Sequence, residues 1–284
     1  MSNYEFSTIG YKFLWKDNES IASPEAQTAY QSSVALNPDN SRAWREFGIS
    51  HAKLGQYESA IVSFQQAIGL NPKDAYPHSD LGLTYLVQGK YELAIASFQQ
   101  AINLNPKNTD YRCSLGIVYR KNAQYELAFE CYQKAIELDP KSAFSHNSLG
   151  YFYLSQGDLE KAKTEFIEAI NLDSKNWTNV MNLGFVSGLQ GNQTEAINLW
   201  KQGLKLLTGN SQYDRLFRAL HEVGVGEIER GTNSLREILE IEKIPLGYLS
   251  EVLEDAELMA RFPAKLEGID PVVEMLRQAI VKVQ

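Results

Sequence analysis

Residues that commonly carry chemistry are scarce in this chain. Its 284 residues include only two cysteines and four histidines. The cysteines, Cys113 and Cys131, are by themselves too few for a disulfide framework or a tetrahedral zinc site. No apolar run approaches the roughly 20 residues that cross a bilayer, and the N-terminus lacks the basic and apolar regions of a signal peptide. We therefore expect a cytoplasmic protein with no membrane insertion.

A surplus of basic residues is also missing. The chain has 27 lysines and arginines against 35 acidic residues, which gives a formal net charge of −8. Proteins that bind nucleic acid neutralise phosphates with a surplus of lysine and arginine, so this balance argues against a nucleic-acid partner. Apolar residues make up 44% of the chain, which is ample for a packed core and unlike the composition of a disordered sequence.

What the chain does contain is an internal repeat of 34 residues. Its five units are 41–74, 75–108, 109–142, 143–176 and 177–210. Position 8 is glycine in every unit, namely Gly48, Gly82, Gly116, Gly150 and Gly184. Position 20 is always alanine, position 24 is always aromatic, and position 27 is always alanine or glycine. These small residues predict a close approach between helix backbones, with the aromatic side chain filling the space that they leave.

Each unit has the pattern of two helices joined by a turn. Gly89 is typical of the residue just after a helix C-terminus, because glycine accepts the left-handed backbone conformation found there. The same position holds Gly55, Gly157 and Gly191. The third unit departs from the pattern with Asn122-Ala123. Apolar residues at helical spacing follow the turn, and Asn105-Pro106 predicts the end of the second helix, since the residue before a proline is pushed out of the α region.

These positions resemble the consensus of the tetratricopeptide repeat family. The resemblance implies an all-α fold, a right-handed α-α superhelix (solenoid), which we expect to end in a C-terminal helical cap. Residues 1–40 are predicted to form a degenerate N-terminal repeat, since terminal repeats are commonly atypical. After residue 210 the register is lost. Within the C-terminal extension 211–284, helices are predicted at about 211–223, 232–243, 246–261 and 271–283.

No catalytic constellation accompanies the repeat. The sequence has no P-loop, no nucleophile elbow and no metalloprotease motif. Three histidines, His51, His78 and His146, occupy repeat positions that packing residues usually fill. The fourth, His221, has no nucleophile near it in sequence, and the cysteines lack CxxC spacing. We therefore predict a non-enzymatic protein with no catalytic residue, no cofactor and no bound metal.

In the tetratricopeptide repeat family the first helices line a concave groove, and positions 2, 5, 6, 9, 12 and 13 point into it. Position 9 is apolar in all five units of this chain. A continuous apolar strip usually marks an interaction site, and aromatic and arginine side chains are common in binding hot spots. The predicted partner-binding residues are Arg45, Ile49, Tyr76, Leu83, Leu86, Ile117, Arg120, Phe144, Asn147, Tyr151, Leu154, Met181 and Phe185.

The same positions allow a second interpretation, in which position 9 helps to close the core between neighbouring first helices. If the strip is exposed, its expected partner is another protein that offers an extended segment or an amphipathic helix with apolar anchors. The carboxylate clamp of some co-chaperones in the family is disfavoured, because Asp80 and Asp110 stand where that clamp uses neutral or basic groups.

Three functions remain open on these grounds. The first is a protein–protein interaction scaffold that binds a partner segment in its groove. The second is self-association into a homo-oligomer, or service as a regulatory module of a larger signalling system. In the third, the tail regulates the groove, and the amphipathic helix 271–283 competes with the partner.

Overall fold

The computed structural model describes residues 24–209, 212–241, 244, 246–263 and 266–283. In this part of the chain the regular secondary structure consists of fifteen α-helices, with no β-strand. The chain divides into two compact units at the boundary between Leu138 and Asp139. The part of the predicted N-terminal repeat that precedes Pro24 lies outside the described residues.

The first unit consists of helices joined by short turns. Its described helices are α1 (Pro24–Leu36), α2 (Ser41–Lys53), α3 (Tyr57–Leu70), α4 (Ala75–Val87), α5 (Tyr91–Leu104), α6 (Thr109–Lys121) and α7 (Tyr125–Leu138). From α2 onward, consecutive helices pack as hairpins, α2 with α3, α4 with α5, and α6 with α7. The first helix of each hairpin also contacts the first helix of the next, so α2, α4 and α6 are neighbours.

Local sequence signals determine where these helices begin and end. The first helices are capped by side chains that accept a backbone N–H, namely Asn40, Asp74 and Asn108. The turns after α2 and α4 contain glycine in the left-handed region, Gly55 with φ +72° and Gly89 with φ +69°. Ala123 takes the same conformation after α6, with φ +56°. A residue with a side chain pays about 1 kcal/mol to adopt this left-handed conformation. The third turn therefore keeps the same geometry as the glycine turns, at that cost in stability.

The contact that holds each hairpin together joins a glycine on the first helix to an aromatic ring on the second. In the second hairpin, a Cβ placed on Gly82 would lie 2.9 Å from ring carbons of Phe98, closer than non-bonded carbons normally approach. Phe98 is fully buried, and so is Tyr132, which packs against Gly116 in the same way. The ring can lie against the helix backbone only because position 8 has no side chain, which confirms the predicted role of these glycines.

The second unit continues this pattern and then departs from it. Its described helices are α8 (Ala143–Ser155), α9 (Leu159–Leu172), α10 (Trp177–Leu189), α11 (Gln193–Leu206), α12 (Gln212–Gly224), α13 (Ile228–Ile241), α14 (Leu246–Ala260) and α15 (Ile269–Val283). Hairpins form between α8 and α9, α10 and α11, and α12 and α13. The last two helices, α14 and α15, pack on each other, and α14 also contacts α10 and α12.

The α12–α13 hairpin is a further repeat-like pair that a 34-residue comparison does not align. Gly226, with φ +94°, takes the place of Gly191, with φ +85°, but lies 35 residues after it. The small residues Ala219 and Gly231 face each other in this hairpin, and a Cβ on Gly231 would lie 2.5 Å from the Ala219 carbonyl oxygen. One extra residue therefore shifts the hairpin out of register, and part of the expected C-terminal cap has the geometry of a repeat.

The four helices predicted after residue 210 are present, although their bounds differ. Helices α12 and α14 match the predicted ranges to within one residue, whereas α15 begins two residues earlier than expected. Helix α13 begins at Ile228, four residues before the predicted start. Its early start follows from the turn, in which Gly226 is left-handed and the Glu227 N–H donates to the Glu222 carbonyl oxygen at 2.8 Å.

Replacing Gly82 with valine is expected to lower the free energy of unfolding by about 2 kcal/mol, because the added atoms overlap the buried ring of Phe98. Gly69 is a matched control, since it lies in α3 with nothing within 4 Å of an added Cβ. Gly69→Val should therefore change the stability by less than about 0.5 kcal/mol. Urea unfolding followed by circular dichroism measures both variants. Equal effects at the two positions would contradict the packing role of Gly82.

Candidate interaction surface

The predicted apolar groove residues of the first unit are buried. Ile49, Leu83, Leu86 and Ile117 are at most 7% exposed. They lie on α2, α4 and α6, the first helices that contact one another. These side chains therefore pack between neighbouring first helices, as in the second interpretation that the sequence allowed. At these four described positions no exposed apolar strip is present.

Arg120 is buried as well, at 4% exposed, in spite of its charge. Its guanidinium donates a hydrogen bond to the hydroxyl group of Tyr132, the aromatic residue of the same repeat. Burial raises the pKa of Tyr132 above its usual range, and the nearby Arg120 opposes that shift. Arg120 therefore stabilises the third hairpin from within, and little of its side chain is exposed.

Two of the predicted residues of the first unit remain accessible. Tyr76 on α4 is 54% exposed, and the side chain of Arg45 on α2 is 23% exposed. The guanidinium carbon of Arg45 lies 4.9 Å from the centroid of the Tyr76 ring, a cation–π arrangement. The Tyr76 ring also meets Tyr111 of α6 edge to face, with centroids 6.4 Å apart and planes at 85°. Residues on three neighbouring first helices thus hold an exposed aromatic ring in place.

Arg45 also forms an ion pair with a buried carboxylate. Its Nε lies 2.5 Å from Oδ2 of Asp80, which is only 2% exposed. Burial raises the pKa of Asp80 to about 6, and the attraction to Arg45 counters only part of that shift. Moving charges out of water costs free energy that a close contact recovers in part. The ion pair positions the guanidinium over Tyr76 and leaves less of Arg45 available to a partner.

In the second unit, Asn147 belongs to a network of buried amides. Its Nδ2 donates to Oδ1 of Asn179 at 2.6 Å, and its Oδ1 accepts from Asn182 at 3.4 Å. Asn179 in turn donates to the Ala169 carbonyl oxygen near the end of α9, at 3.1 Å. These bonds join α8 to α10 and satisfy polar groups that are shielded from water. Asn147 is therefore buried between helices, where it connects α8 to α10.

Met181 and Phe185 point into the core of the fifth repeat. They are 1% and 0% exposed, respectively. Met181 fills the space beside Gly203 on α11, where an added Cβ would lie 2.6 Å from its Cγ. The ring of Phe185 lies 5.5 Å from that of Trp200 and 5.8 Å from that of His221, measured between centroids. These two residues pack α10 against α11 and α12, and they do not form a groove surface.

The three remaining predicted residues, Phe144, Tyr151 and Leu154, lie on α8 and are 6–7% exposed. The hydroxyl group of Tyr151 donates to a carboxylate oxygen of Glu254 on α14, at 3.5 Å. Helix α14 also contacts the first helices α10 and α12. The tail of the chain thus lies on the face of this unit that the sequence assigned to a partner.

The tail helix that reaches α10 is not the one predicted from the sequence. The expected competitor, 271–283, belongs to α15, which contacts α12, α13 and α14. The helix in contact with α10 is α14, followed by Phe262. A signal for this contact is present in the repeat itself, because position 12 is Gly188 in the fifth unit and carries a side chain in the other four.

Models of a known repeat family match the chain where these hairpins lie. A model described as TPR repeat matches residues 50–89 and 85–122. Two models described as Tetratricopeptide repeat match residues 131–164 and 110–142. Residues 50–164 therefore belong to the tetratricopeptide repeat family. In each of these repeats the glycine at position 8 packs against the aromatic ring at position 24, which explains why these two residue types recur at a fixed spacing.

Solved structures of other repeat proteins share this all-α solenoid fold. The APC/C hetero-tetramer Cut9-Hcn1 gives a TM-score of 0.61 at 18% identity, over 93% of this chain and 47% of that one. TTC0263, a thermophilic TPR protein of Thermus thermophilus, gives 0.56 at 20% identity, over 64% and 98%. PilF of Pseudomonas aeruginosa gives 0.53 at 16% identity, over 82% and 97%. A comparison with curated proteins finds no match.

Tetratricopeptide repeat proteins are generally non-catalytic scaffolds that bind proteins or peptides. In the part of the chain that the structure describes, no group of three His, Cys, Asp or Glu side chains could hold a metal ion. Burial raises the pKa of the Cys131 thiol to about 11, which disfavours the nucleophilic thiolate. Burial also lowers the pKa of His221 to about 4, which keeps its imidazole neutral.

None of the described helices is long and apolar enough to span a membrane.

Arg45→Ala is expected to lower the free energy of unfolding by about 2–3 kcal/mol at pH 7.5, because it leaves the buried carboxylate of Asp80 without its counter-ion. Asp80 has a folded-state pKa above its unfolded value of 3.8, so protonation as the pH falls through about 6 favours the folded state. Part of the loss should therefore disappear at pH 5, or at pH 7.5 when Asp80→Asn is added.

Urea unfolding at pH 7.5 and pH 5 measures this prediction, with Arg42→Ala as the matched control. Arg42 is an exposed arginine on the same helix, and its removal should cost less than about 0.5 kcal/mol at either pH. A loss for Arg45→Ala that is the same at both values of pH would show that the ion pair does not act in this way.

Proposed function

We propose that this chain is a non-enzymatic interaction scaffold that binds a segment of another protein on the first-helix face of its first unit. The observation that carries the proposal is the exposure of Tyr76, a large aromatic side chain on the face formed by α2, α4 and α6. Exposed aromatic residues that are held in place are a common centre of binding hot spots. Membership of the tetratricopeptide repeat family supports the same general role.

Tyr76 is suited to act as an anchor because its ring is already ordered. A tyrosine side chain has only two rotatable bonds, so a partner that covers it removes little conformational entropy. The contacts with Arg45 and Tyr111 restrict the ring further before any partner arrives. Covering the exposed half of such a ring contributes about 1.5 kcal/mol, which corresponds to roughly a tenfold change in affinity.

The surroundings of Tyr76 indicate the kind of segment that fits. The guanidinium of Arg45 beside the ring is already paired with Asp80 and lies 4.0 Å from Glu46, so the exposed ring itself is the main feature available to a partner. The expected ligand is an extended segment or an amphipathic helix with an apolar or aromatic anchor that packs on this ring. Ile49 and Leu83 are buried between the first helices, so they offer a partner almost no surface to contact.

Tyr76→Ala is expected to weaken partner binding about tenfold or more while the helix content stays unchanged. Leu93→Ala is the matched control, because Leu93 is 49% exposed in the same hairpin but lies on the second helix, α5. Leu83→Asp would not serve as a test, since Leu83 is 4% exposed and a charge there would damage the fold.

Parallel affinity captures with the wild-type chain, Tyr76→Ala and Leu93→Ala measure this expectation. A specific partner is retained by the wild type and by Leu93→Ala but lost with Tyr76→Ala, and calorimetry on the purified pair then gives the change in Kd. Partners that all three chains retain equally would contradict a binding role for Tyr76.

Self-association is a second candidate function, favoured by an exposed apolar end on α15. Val281 is 72% exposed and Val283 is 47% exposed. If a second copy covers this end, Val281→Lys combined with Val283→Lys should raise the dissociation constant of the oligomer about tenfold or more. Sedimentation velocity over a wide concentration range measures it. A wild-type chain that stays monomeric throughout would rule this candidate out.

A further inference from the structure

A phenylalanine of the tail is inserted into the first-helix face of the second unit. Phe262 follows the end of α14 by two residues and is 5% exposed. Its ring stacks on that of Trp200 on α11, with centroids 5.6 Å apart and planes at 19°. It also fills the space next to Gly188 on α10, where an added Cβ would overlap the ring. The tail thus contacts the aromatic core of the fifth repeat directly.

The opening that receives Phe262 is made by two glycines. Position 12 carries a side chain in the other four units, namely Ala52, Leu86, Arg120 and Leu154. In the fifth unit it is Gly188, so α10 places no side chain over Trp200. On α12, a Cβ added to Gly224 would lie 3.1 Å from Trp200 and 3.2 Å from Met259 of the tail. Gly188, Gly224 and Trp200 together form a socket for an aromatic ring.

The helix that leads to Phe262 is amphipathic. Its buried residues recur at helical spacing and are at most 1% exposed, namely Leu249, Val252, Ala256 and Met259. Acidic residues flank this stripe. Glu254 accepts from the hydroxyl group of Tyr151 at 3.5 Å, and Glu257 accepts from Arg277 of α15 at 2.7 Å. The segment that covers the socket is therefore an apolar helical stripe with acidic edges and an aromatic anchor after its end.

The hairpins beneath this helix have contacts of their own. Helix α10 packs on α11, and α12 packs on α13, through contacts of their own. The indole N–H of Trp200 donates to the Met181 carbonyl oxygen at 3.2 Å, and its ring meets Phe185 and His221 at 5.5 and 5.9 Å. The buried face of α14 also includes the acidic residue Asp255, which would regain contact with water if the tail opened. These hairpin contacts do not involve the tail, so opening of the tail would uncover the socket and leave them in place.

We propose that the segment 246–262 is an exchangeable internal ligand, and that the socket with its surrounding first-helix face binds a partner's amphipathic helix that ends in an aromatic anchor. In the free chain the tail covers this site. A partner helix with the same pattern displaces it, against a tethered competitor whose effective concentration is in the millimolar range, about what short linkers give. The site is separate from the surface around Tyr76 and does not depend on it.

A fluorescently labelled peptide of residues 246–263 tests the site on the full-length chain. The wild-type chain is expected to bind it weakly, because its own tail fills the socket. The Phe262→Ala chain has lost the anchor of the internal competitor and should bind the peptide at least about tenfold more tightly, as measured by fluorescence anisotropy. The same peptide carrying Phe262→Ala is the matched probe and should bind the Phe262→Ala chain at least about tenfold more weakly.

Filling the socket provides the control. Gly188→Leu is added to the Phe262→Ala chain. It introduces leucine, which occupies the same repeat position in two other units as Leu86 and Leu154. It should abolish peptide binding and leave the helix content intact, since leucine is a better helix former than glycine. Equal peptide affinity for the wild-type and Phe262→Ala chains, or binding that survives Gly188→Leu, would overturn the proposal.

Hydrogen exchange on the wild-type chain decides the question even where Phe262→Ala does not fold. An exchangeable tail must open while the hairpins stay folded, so the amides of α14 should have protection factors at least about tenfold below those of α10. An excess of unlabelled peptide should lower the protection of α14 further. Equal protection in α14 and α10 would mean that they open only together, which would overturn the proposal. These measurements do not involve the surface around Tyr76, so a negative result for Tyr76→Ala would not affect them.

Discussion

The fold depends on the packing of an aromatic ring against a bare helix backbone. In each of the five hairpins from α2 to α11 a glycine of the first helix leaves room for a ring of the second, as Gly150 does for the fully buried Phe166. A single hairpin cannot bury all of its apolar surface, so neighbouring hairpins must stack. The contacts among α2, α4 and α6 within the first unit are the consequence of that requirement.

Stacking uses residues that would otherwise face a partner. Ile117 and Phe185 occupy the position with the most regular apolar character, and both are fully enclosed by neighbouring helices. The accessible surface is left to side chains that extend beyond these contacts, of which Tyr76 is the large aromatic one on the predicted face of the first unit. Binding through such residues can change without disturbing the core, because the packing positions and the exposed positions are different. This separation explains how one fold serves as a scaffold for unrelated partners.

In the second unit the corresponding face is covered by the chain's own tail. The ring in the fifth repeat is Trp200, and the absence of a side chain at Gly188 leaves it open toward the face on which α14 lies. Phe262 closes that opening and removes apolar surface from water that the repeats alone would expose. A glycine that leaves room for an aromatic ring is therefore found within each of the five hairpins from α2 to α11, and again between α10 and the tail.

The sequence by itself determined the helix pairs, their glycine turns and the glycine–aromatic cores, because these arise from contacts within about one repeat length and recur five times. It predicted the helices α12 and α13 but did not show that they form a repeat-like hairpin, since one additional residue breaks the period. Helical spacing also assigns residues to a face without saying what covers that face. Only the tertiary structure decided that Phe185 is enclosed, that Tyr76 is exposed and that Phe262 reaches Trp200, because each outcome depends on contacts between helices that are distant in sequence.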